Sequence, residues 1–182
     1  MEEVKQAIKT ILKHIGEDVS RKELLKTPDR MLESYKEIFS GYTEKSENII
    51  GNTFSEVETN EIIVFENIDF FSTCEHHFAP FFGQISIAYI PNKQAVGFGR
   101  ITNLIKAVTR KLQIQERIAF EIGTLLQKSL LNPTGVFVKV EGKHFCNISA
   151  EKTSKPLVLK TIFTTGEFKK PENIEKLKLL ID

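Results

Sequence analysis

The chain has 182 residues, of which 41% are hydrophobic and 27% charged, so it can bury a full core within one domain. Its formal net charge of +1 and pI near 7.7 provide no general field that would hold nucleic acid or an anionic membrane, and we expect neither partner. No apolar run reaches bilayer-spanning length, and the charged N-terminus lacks the apolar run of a signal peptide, so we expect a cytoplasmic protein.

The first elements along the chain are predicted to be helical. Apolar residues recur at helical spacing between residues 4 and 15. Thr27 and Pro28 then have the pattern of an N-cap followed by proline at the first helical position, and this second helix is predicted to end at Gly41. A polar stretch rich in Asn, Ser, Thr and Glu follows it. We therefore predict an N-terminal helical region and connection over residues 1–60.

The pattern changes at residue 61. Apolar runs of strand type alternate with two longer stretches of helical periodicity. Strands are predicted at 62–65, 84–90, 136–140 and 157–163, and helices at 101–111 and 114–131. The order strand pair, helix pair, strand pair predicts an α+β fold, in which a four-stranded antiparallel sheet carries two helices on one face. Residues 61–182 are expected to form one compact unit.

Both cysteines and three of the four histidines lie in two short windows, CEHH starting at residue 74 and HFC ending at residue 146. Thiolate and imidazole are ligands that Zn²⁺ selects. Cys74 and His77 have a C-x-x-H spacing, and His144 and Cys146 are expected to share one face of a strand. Joining the windows gives two Cys and one His, with two histidines to spare. Because catalytic zinc sites use three protein ligands, we predict a catalytic zinc.

Two simpler explanations of the cysteines compete with a metal site. They could form a disulfide, but the sequence contains nothing that suggests an oxidising compartment. They could also be buried core thiols, since free cysteine is among the most buried residue types. Neither explanation accounts for the three histidines beside them. The metal site is therefore the favoured prediction.

The ordered motifs of the chain resemble the GTP cyclohydrolase I family. The resemblance runs in register from about residue 27 to residue 168 and rests on five motifs: TPDR at 27–30, STCEHH at 72–77, YIPNK at 89–93, LQIQER at 112–117 and HFC at 144–146. It implies the tunnelling fold (T-fold), in which subunits join their sheets into a barrel. It also implies a stacked two-ring homodecamer with active sites at subunit interfaces.

The resemblance implies hydrolytic opening of the guanine imidazole ring at C8 of GTP, giving formate and 7,8-dihydroneopterin triphosphate for the synthesis of folate or related cofactors. Cys74, His77 and Cys146 would be the zinc ligands, and zinc lowers the pKa of water towards ~7, which supplies a nucleophile. His76 and His144 would transfer protons, because imidazole titrates near neutrality. The alternative is that either histidine only hydrogen-bonds a metal ligand.

Substrate recognition is expected at the start of the second central helix. In the family, the carboxylate matching Glu116 accepts hydrogen bonds from the guanine N1–H and N2–H₂ groups, with Gln115 beside it. The alternative is that Glu116 is simply an acid favoured by the helix dipole. Arg30 keeps its family position and is expected to bind substrate.

The phosphate-binding positions depart from the family pattern. Where a Ser-Lys pair and then an Arg are usual, this chain has Gly99-Arg100 and Asn103. Where an Arg-Gly pair is common after the second cysteine, it has Ala150-Glu151. Arg100 can replace a lysine as a substrate-binding cation. The loss of the other cations predicts weakened binding of the triphosphate.

Three classes of function therefore remain open at the level of sequence. The first is a GTP cyclohydrolase I with rearranged phosphate contacts, which we favour. The second is a divergent cyclohydrolase acting on another guanine nucleotide or purine. The third is a non-catalytic, zinc-stabilised oligomer, which the two spare histidines argue against.

Overall fold

The computed structural model describes residues 1–44, 49, 54–55, 57, 59–130, 132–150 and 157–181. Its helices are α1 (Glu2–His14), α2 (Thr27–Ile38), α3 (Phe98–Thr109), α4 (Gln115–Ser129), α5 (Phe145–Ala150) and α6 (Pro171–Lys178). Its strands are β1 (Phe54–Ser55), β2 (Ile63–Cys74), β3 (Pro80–Ile90), β4 (Gln94–Ala95), β5 (Leu112–Gln113), β6 (Gly135–His144) and β7 (Val158–Gly166).

The main sheet has the strand order β5-β2-β3-β6-β7. Its four long strands, β2, β3, β6 and β7, pair antiparallel as predicted. The two-residue β5 adds a fifth strand that the sequence did not reveal, and it runs parallel to the end of β2. A separate two-stranded ribbon pairs β1 with β4. The α+β prediction is confirmed.

The long strands extend beyond their predicted ends, towards the two Cys/His windows. β2 continues from the predicted residue 65 to Cys74, past a bulge at which Asn67 adopts a positive φ of 54°. Ser72, Thr73 and Cys74 are all buried, so this end of β2 lacks the alternation that marks a half-buried strand. The irregular burial pattern explains why the prediction stopped early.

Both central helices pack on one face of the sheet. The core between them consists of fully buried aliphatic and aromatic side chains, among them Ile85, Ile87, Tyr89, Ile101, Leu104, Ile118, Ile122 and Val138. The other face of β3 and β6 has a smaller cluster in which Phe137 packs with Phe168 and with Leu177 of α6. No helix in the described ranges is long and apolar enough to cross a membrane.

The N-terminal helices contact the sheet end that carries the first Cys/His window. α1 and α2 pack against each other and are joined by an ion pair between Lys5 and Asp29. Tyr35 of α2 and Phe39, the residue that follows this helix, place their rings 6.4 and 5.8 Å from the ring of Phe78. α2 therefore touches the loop between β2 and β3.

The predicted strand geometry of the second window is wrong. β6 ends at His144, and Cys146 lies in the first turn of α5, so the two residues do not share a strand face. The fold turns from strand to helix within three residues, too short a segment to give a periodic signal. Ala150 ends α5. Glu151, the acid at the second of the altered phosphate-binding positions, lies outside the described residues.

Candidate metal centre

The ligand turn, residues 74–79, joins β2 to β3. Two backbone hydrogen bonds close it, from Phe78 N to Cys74 O at 2.9 Å and from Cys74 N to Ala79 O at 2.8 Å. Phe78 adopts a positive φ of 52°, a left-handed conformation that is unusual for a bulky residue. The resulting reversal places Cys74 Sγ 3.7 Å from His77 Nδ1.

Cys146 joins these two residues from the other window. β6 pairs with β3 so that His144 lies opposite Phe81, and α5 then starts at the same end of the sheet as the ligand turn. The three side-chain ligand atoms of Cys74, His77 and Cys146 all lie within 4.8 Å of one another. Tetrahedral zinc bonds imply sulfur–nitrogen separations of about 3.6 Å. The donor set and its spacing therefore fit a zinc ion.

The two thiols can act as ligands of a metal cation. Neither thiol is in a disulfide, so the disulfide alternative is not realised in this structure. Burial raises the pKa of the Cys146 thiol, and the adjacent Cys74 raises it further through its charge and a hydrogen bond. A divalent cation between the thiols would reverse this effect, because it stabilises thiolates. Cys74 is buried, as the core-thiol alternative required, but it is also part of the cluster.

His144 lies next to the three-residue cluster in a well-defined position. Its ring stacks on Phe81 with centroids 4.4 Å apart and an interplanar angle of 6°. Its Nε2 lies 3.0 Å from Gln115 Oε1. Burial lowers the pKa of His144, and the nearby Glu116 carboxylate acts in the opposite direction. His144 and Glu116 are thus within electrostatic reach of each other.

The Gln115 side chain is buried and bonded within the subunit. Its Nε2 donates to Val140 O at 3.0 Å and to Leu159 O at 2.8 Å. This orientation fixes Oε1 as an acceptor, so His144 must donate from Nε2–H. A Cβ at position 142 would collide with Gln115 Oε1, so Gly142 leaves the space that the amide occupies. Glu116, the next residue, is exposed in the first turn of α4.

The remaining predicted site residues lie on the surface. His76 is exposed in the ligand turn, with its ring centroid 6.3 Å from that of His77. Arg30 is exposed on α2, the helix that contacts Phe78. His76 thus lies beside the cluster because it precedes His77 in the sequence, whereas Arg30 lies on a neighbouring helix.

Arg100 lies far from the Cys/His/Cys cluster of the same chain. Its Nη1 donates to Ile49 O at 3.2 Å, near the start of α3. Phe98, two residues before Arg100, packs on Phe65 with ring centroids 6.1 Å apart. Phe65 precedes Cys74 by nine residues of β2, a span of about 30 Å in an extended strand. Within one subunit, Arg100 and the Cys/His/Cys cluster therefore lie at opposite ends of the sheet.

One charged pair at the site was not predicted from the sequence. Arg117 of α4 forms two hydrogen bonds with Glu75 of the ligand turn, at 2.7 and 3.0 Å. The Arg117 guanidinium lowers the pKa of Glu75. Both residues were visible within the CEHH and QER motifs, but their separation of 42 positions gave no signal that they meet.

A three-residue Cys/His/Cys cluster beside a half-buried histidine, built on an α+β sheet, fits a metal-dependent hydrolytic enzyme. The family model of GTP cyclohydrolase I matches residues 4–180. The chain therefore belongs to the GTP cyclohydrolase I family. The α+β tunnelling fold that was predicted for the chain is confirmed.

Individual relatives are similar over nearly the whole chain. GTP cyclohydrolase 1 of Rickettsia prowazekii is 41% identical over 168 residues, which cover 92% of this chain and 88% of that protein. GTP cyclohydrolase 1 of Fusobacterium nucleatum is 41% identical over 180 residues, covering 96% and 95%. Among solved structures, the archaeosine synthase QueF-Like in the apo form has a TM-score of 0.46 and 14% identity, covering 58% of this chain and 93% of that one.

Proposed function

We propose that this enzyme hydrolytically opens the guanine imidazole ring of GTP at C8, using a zinc ion held by Cys74, His77 and Cys146. The observation that carries the proposal is the cluster itself, whose ligand atoms lie within 4.8 Å of one another. Three protein ligands leave a coordination position free, as catalytic zinc requires. A zinc ion bound there would supply Lewis-acid activation of the hydrolytic nucleophile.

His144 is proposed to transfer protons beside the metal. Since its Nε2–H is donated to Gln115, Nδ1 is the nitrogen that can take up a proton. Stacking on Phe81 and the bond to Gln115 hold the ring in one orientation, so little motion is needed for transfer. His76, exposed in the ligand turn, is the second proposed acid–base group.

Glu116 and Gln115 are proposed to act in different ways on substrate recognition. The exposed Glu116 carboxylate is available to accept from the guanine N1–H and N2–H₂ donors. Gln115 has its amide engaged with Val140, Leu159 and His144, so it supports substrate binding by fixing His144 next to Glu116. This assignment keeps both residues in the substrate site but gives direct contact to Glu116.

The phosphates are proposed to meet Arg30 and Arg100, with Arg100 supplied by a neighbouring subunit. Its distance from the cluster of its own subunit supports active sites at subunit interfaces. The edge strand β7 exposes Val158, Leu159 and Ile162, apolar side chains suited to contact with another copy. We propose a homodecamer that works in the cytoplasm and supplies pterins for tetrahydrofolate. The division into residues 1–60 and 61–182 stays a prediction.

A second candidate function follows from the phosphate-binding positions. Gly99 and Asn103 are both exposed on α3, beside Arg100, and neither carries a charge. A guanine nucleotide with fewer phosphates would lose less binding energy there than GTP. Formate release from GTP, GDP, GMP and guanosine at matched concentrations would separate the two candidates, since GTP turnover well above that of GMP supports the first.

Zinc content and formate release together test the proposed function. We expect one zinc per chain by elemental analysis, and loss of both zinc and turnover in Cys146→Ser and His77→Ala. His144→Ala should keep zinc and lose about 10²-fold or more in kcat. His14→Ala is the matched control, because it removes the one histidine outside the two windows. Full zinc in Cys146→Ser would refute the three-ligand site.

A further inference from the structure

The ligand turn is attached to α4 and β5 through Glu75. Besides its two bonds from Arg117, Glu75 donates its backbone N–H to Gln113 O at 3.1 Å. Cys74 pairs with Gln113 in the parallel β2–β5 ladder. The bidentate pair therefore joins the middle of the turn to a helix, and the backbone bond joins it to the sheet edge.

The far side of this contact is rigid. Arg117 Nη1 also lies 3.5 Å from Gln113 Oε1, and Gln113 is fully buried. The Gln113 amide donates to Val108 O at 3.0 Å and to Glu121 Oε2 at 3.2 Å. Lys111 completes the network by pairing with Glu121 at 2.8 Å. Arg117 thus projects from a side-chain network that is anchored in the core and in both central helices.

The turn has few other contacts to keep its shape. The side chains of Glu75, His76, His77 and Phe78 are all exposed, and Phe78 has left-handed backbone geometry. Such a conformation costs about 1–3 kcal/mol and persists only when the surroundings impose it. Phe78 is held from one side by the aromatic rings of Tyr35 and Phe39. The Glu75–Arg117 pair holds the turn from the other side. Glu75 directly follows Cys74 and precedes His77 by two positions.

We propose that Arg117 and Glu75 are positioning residues, which hold His77 against Cys74 so that the cluster retains its metal. The proposal rests on the proposed function, in which Cys74, His77 and Cys146 bind zinc. A guanidinium is required because its planar fork fixes both carboxylate oxygens, whereas a lysine gives a single point contact. Loss of the pair would let the turn relax. We therefore expect the metal to be released faster, while the stability of the fold changes little.

Zinc release from the holoenzyme, measured with a colorimetric chelator at fixed pH, tests this role. We expect at least tenfold faster release in Arg117→Met and Glu75→Gln, and an intermediate rate in Arg117→Lys. The double variant should release zinc no faster than the quicker single variant, because both changes break the same contact. Arg21→Met is the matched control, since it removes an Arg–Glu pair, with Glu17, away from the site.

A melting curve of each metal-free variant separates positioning from general destabilisation. We expect Glu75→Gln and Arg117→Lys to melt close to the metal-free wild type while releasing zinc faster. If the wild type binds zinc and the variants release it at the same rate as the wild type, the positioning role is wrong. Faster release that only parallels a lowered melting temperature would also overturn it. A wild type without zinc would instead refute the proposed function.

Discussion

Replacing Gln115 with glutamate exchanges one heavy atom of a buried side chain, the amide nitrogen, for an oxygen and reverses its hydrogen bonding. In the wild type, the amide nitrogen donates to the carbonyls of Val140 and Leu159. The side chain is only 1% exposed, so water cannot substitute for the lost donor. In Gln115→Glu, a carboxylate would face both carbonyls, whereas a protonated carboxyl group would keep one donor.

The size of the effect follows from these contacts. At least one buried carbonyl bond is lost in either protonation state, at a cost of about 1–3 kcal/mol. At high pH the carboxyl group must also be buried in its charged form or remain protonated. A pKa raised by about two units in the folded state adds about 3 kcal/mol. We therefore expect Gln115→Glu to lower the free energy of unfolding by about 3 kcal/mol near pH 5 and about 5 kcal/mol at pH 8.

The direction of the pH dependence follows from proton linkage. Because burial raises the pKa of the new carboxyl group above its unfolded value, the folded state binds more protons between the two values. Stability is then lost as the pH rises towards the folded pKa and levels off above it. The wild type lacks this group and should show no matching difference.

Urea unfolding followed by circular dichroism at pH 5, 6.5 and 8 measures the effect. Protein and zinc concentrations must be matched, because the proposed oligomer and the proposed zinc site would make the measured stability depend on both. Gln6→Glu is the control: it makes the same change on the exposed surface of α1 and should stay within about 0.5 kcal/mol of the wild type. A Gln115→Glu protein as stable as this control at every pH would refute the buried, donating amide.

Three further predictions concern other parts of the molecule. Gly83→Ala should lower stability by about 3 kcal/mol in urea unfolding, because the new Cβ would collide with the backbone carbonyl of Glu141 in the paired strand; an unchanged midpoint would contradict that close approach. Tyr89→Phe should cost about 1–2 kcal/mol in the same assay, since its buried hydroxyl accepts from Val96 N at 3.0 Å, and a neutral result would mean that water replaces it. Asn103→Arg should lower KM for GTP and leave KM for guanosine unchanged in steady-state kinetics, because the added charge reaches only phosphates; equal changes for both substrates would exclude a phosphate contact.

The sequence predicted the elements whose patterns are local. C-x-x-H spacing was enough to indicate that Cys74 and His77 would share a site, and helical periodicity located α3 and α4. The helix α6 was missed, although Pro171 and the apolar pair Ile174 and Leu177 mark it. That segment is short, and its apolar face completes only the small second cluster of the core.

Features that depend on long-range packing could not be predicted. The burial of Gln115 requires Gly142 to leave space and β7 to bring Leu159 into range, and no single window contains that information. The helical position of Cys146 depends on where β6 ends. The contact of Arg117 with the ligand turn likewise exists only once α4 has packed beside β2.

The arrangement of the ligands in the sheet sets the order in which the metal centre can form. Cys74 ends β2 and Cys146 follows β6, with β3 between these two strands. The β2–β3 hairpin is local and forms a two-ligand half-site, Cys74 with His77, early in folding. The third ligand arrives only after α3 and α4 have been made and β6 has paired with β3. If the cluster holds its metal as proposed, binding by all three ligands would be a late event that reports closure of the sheet.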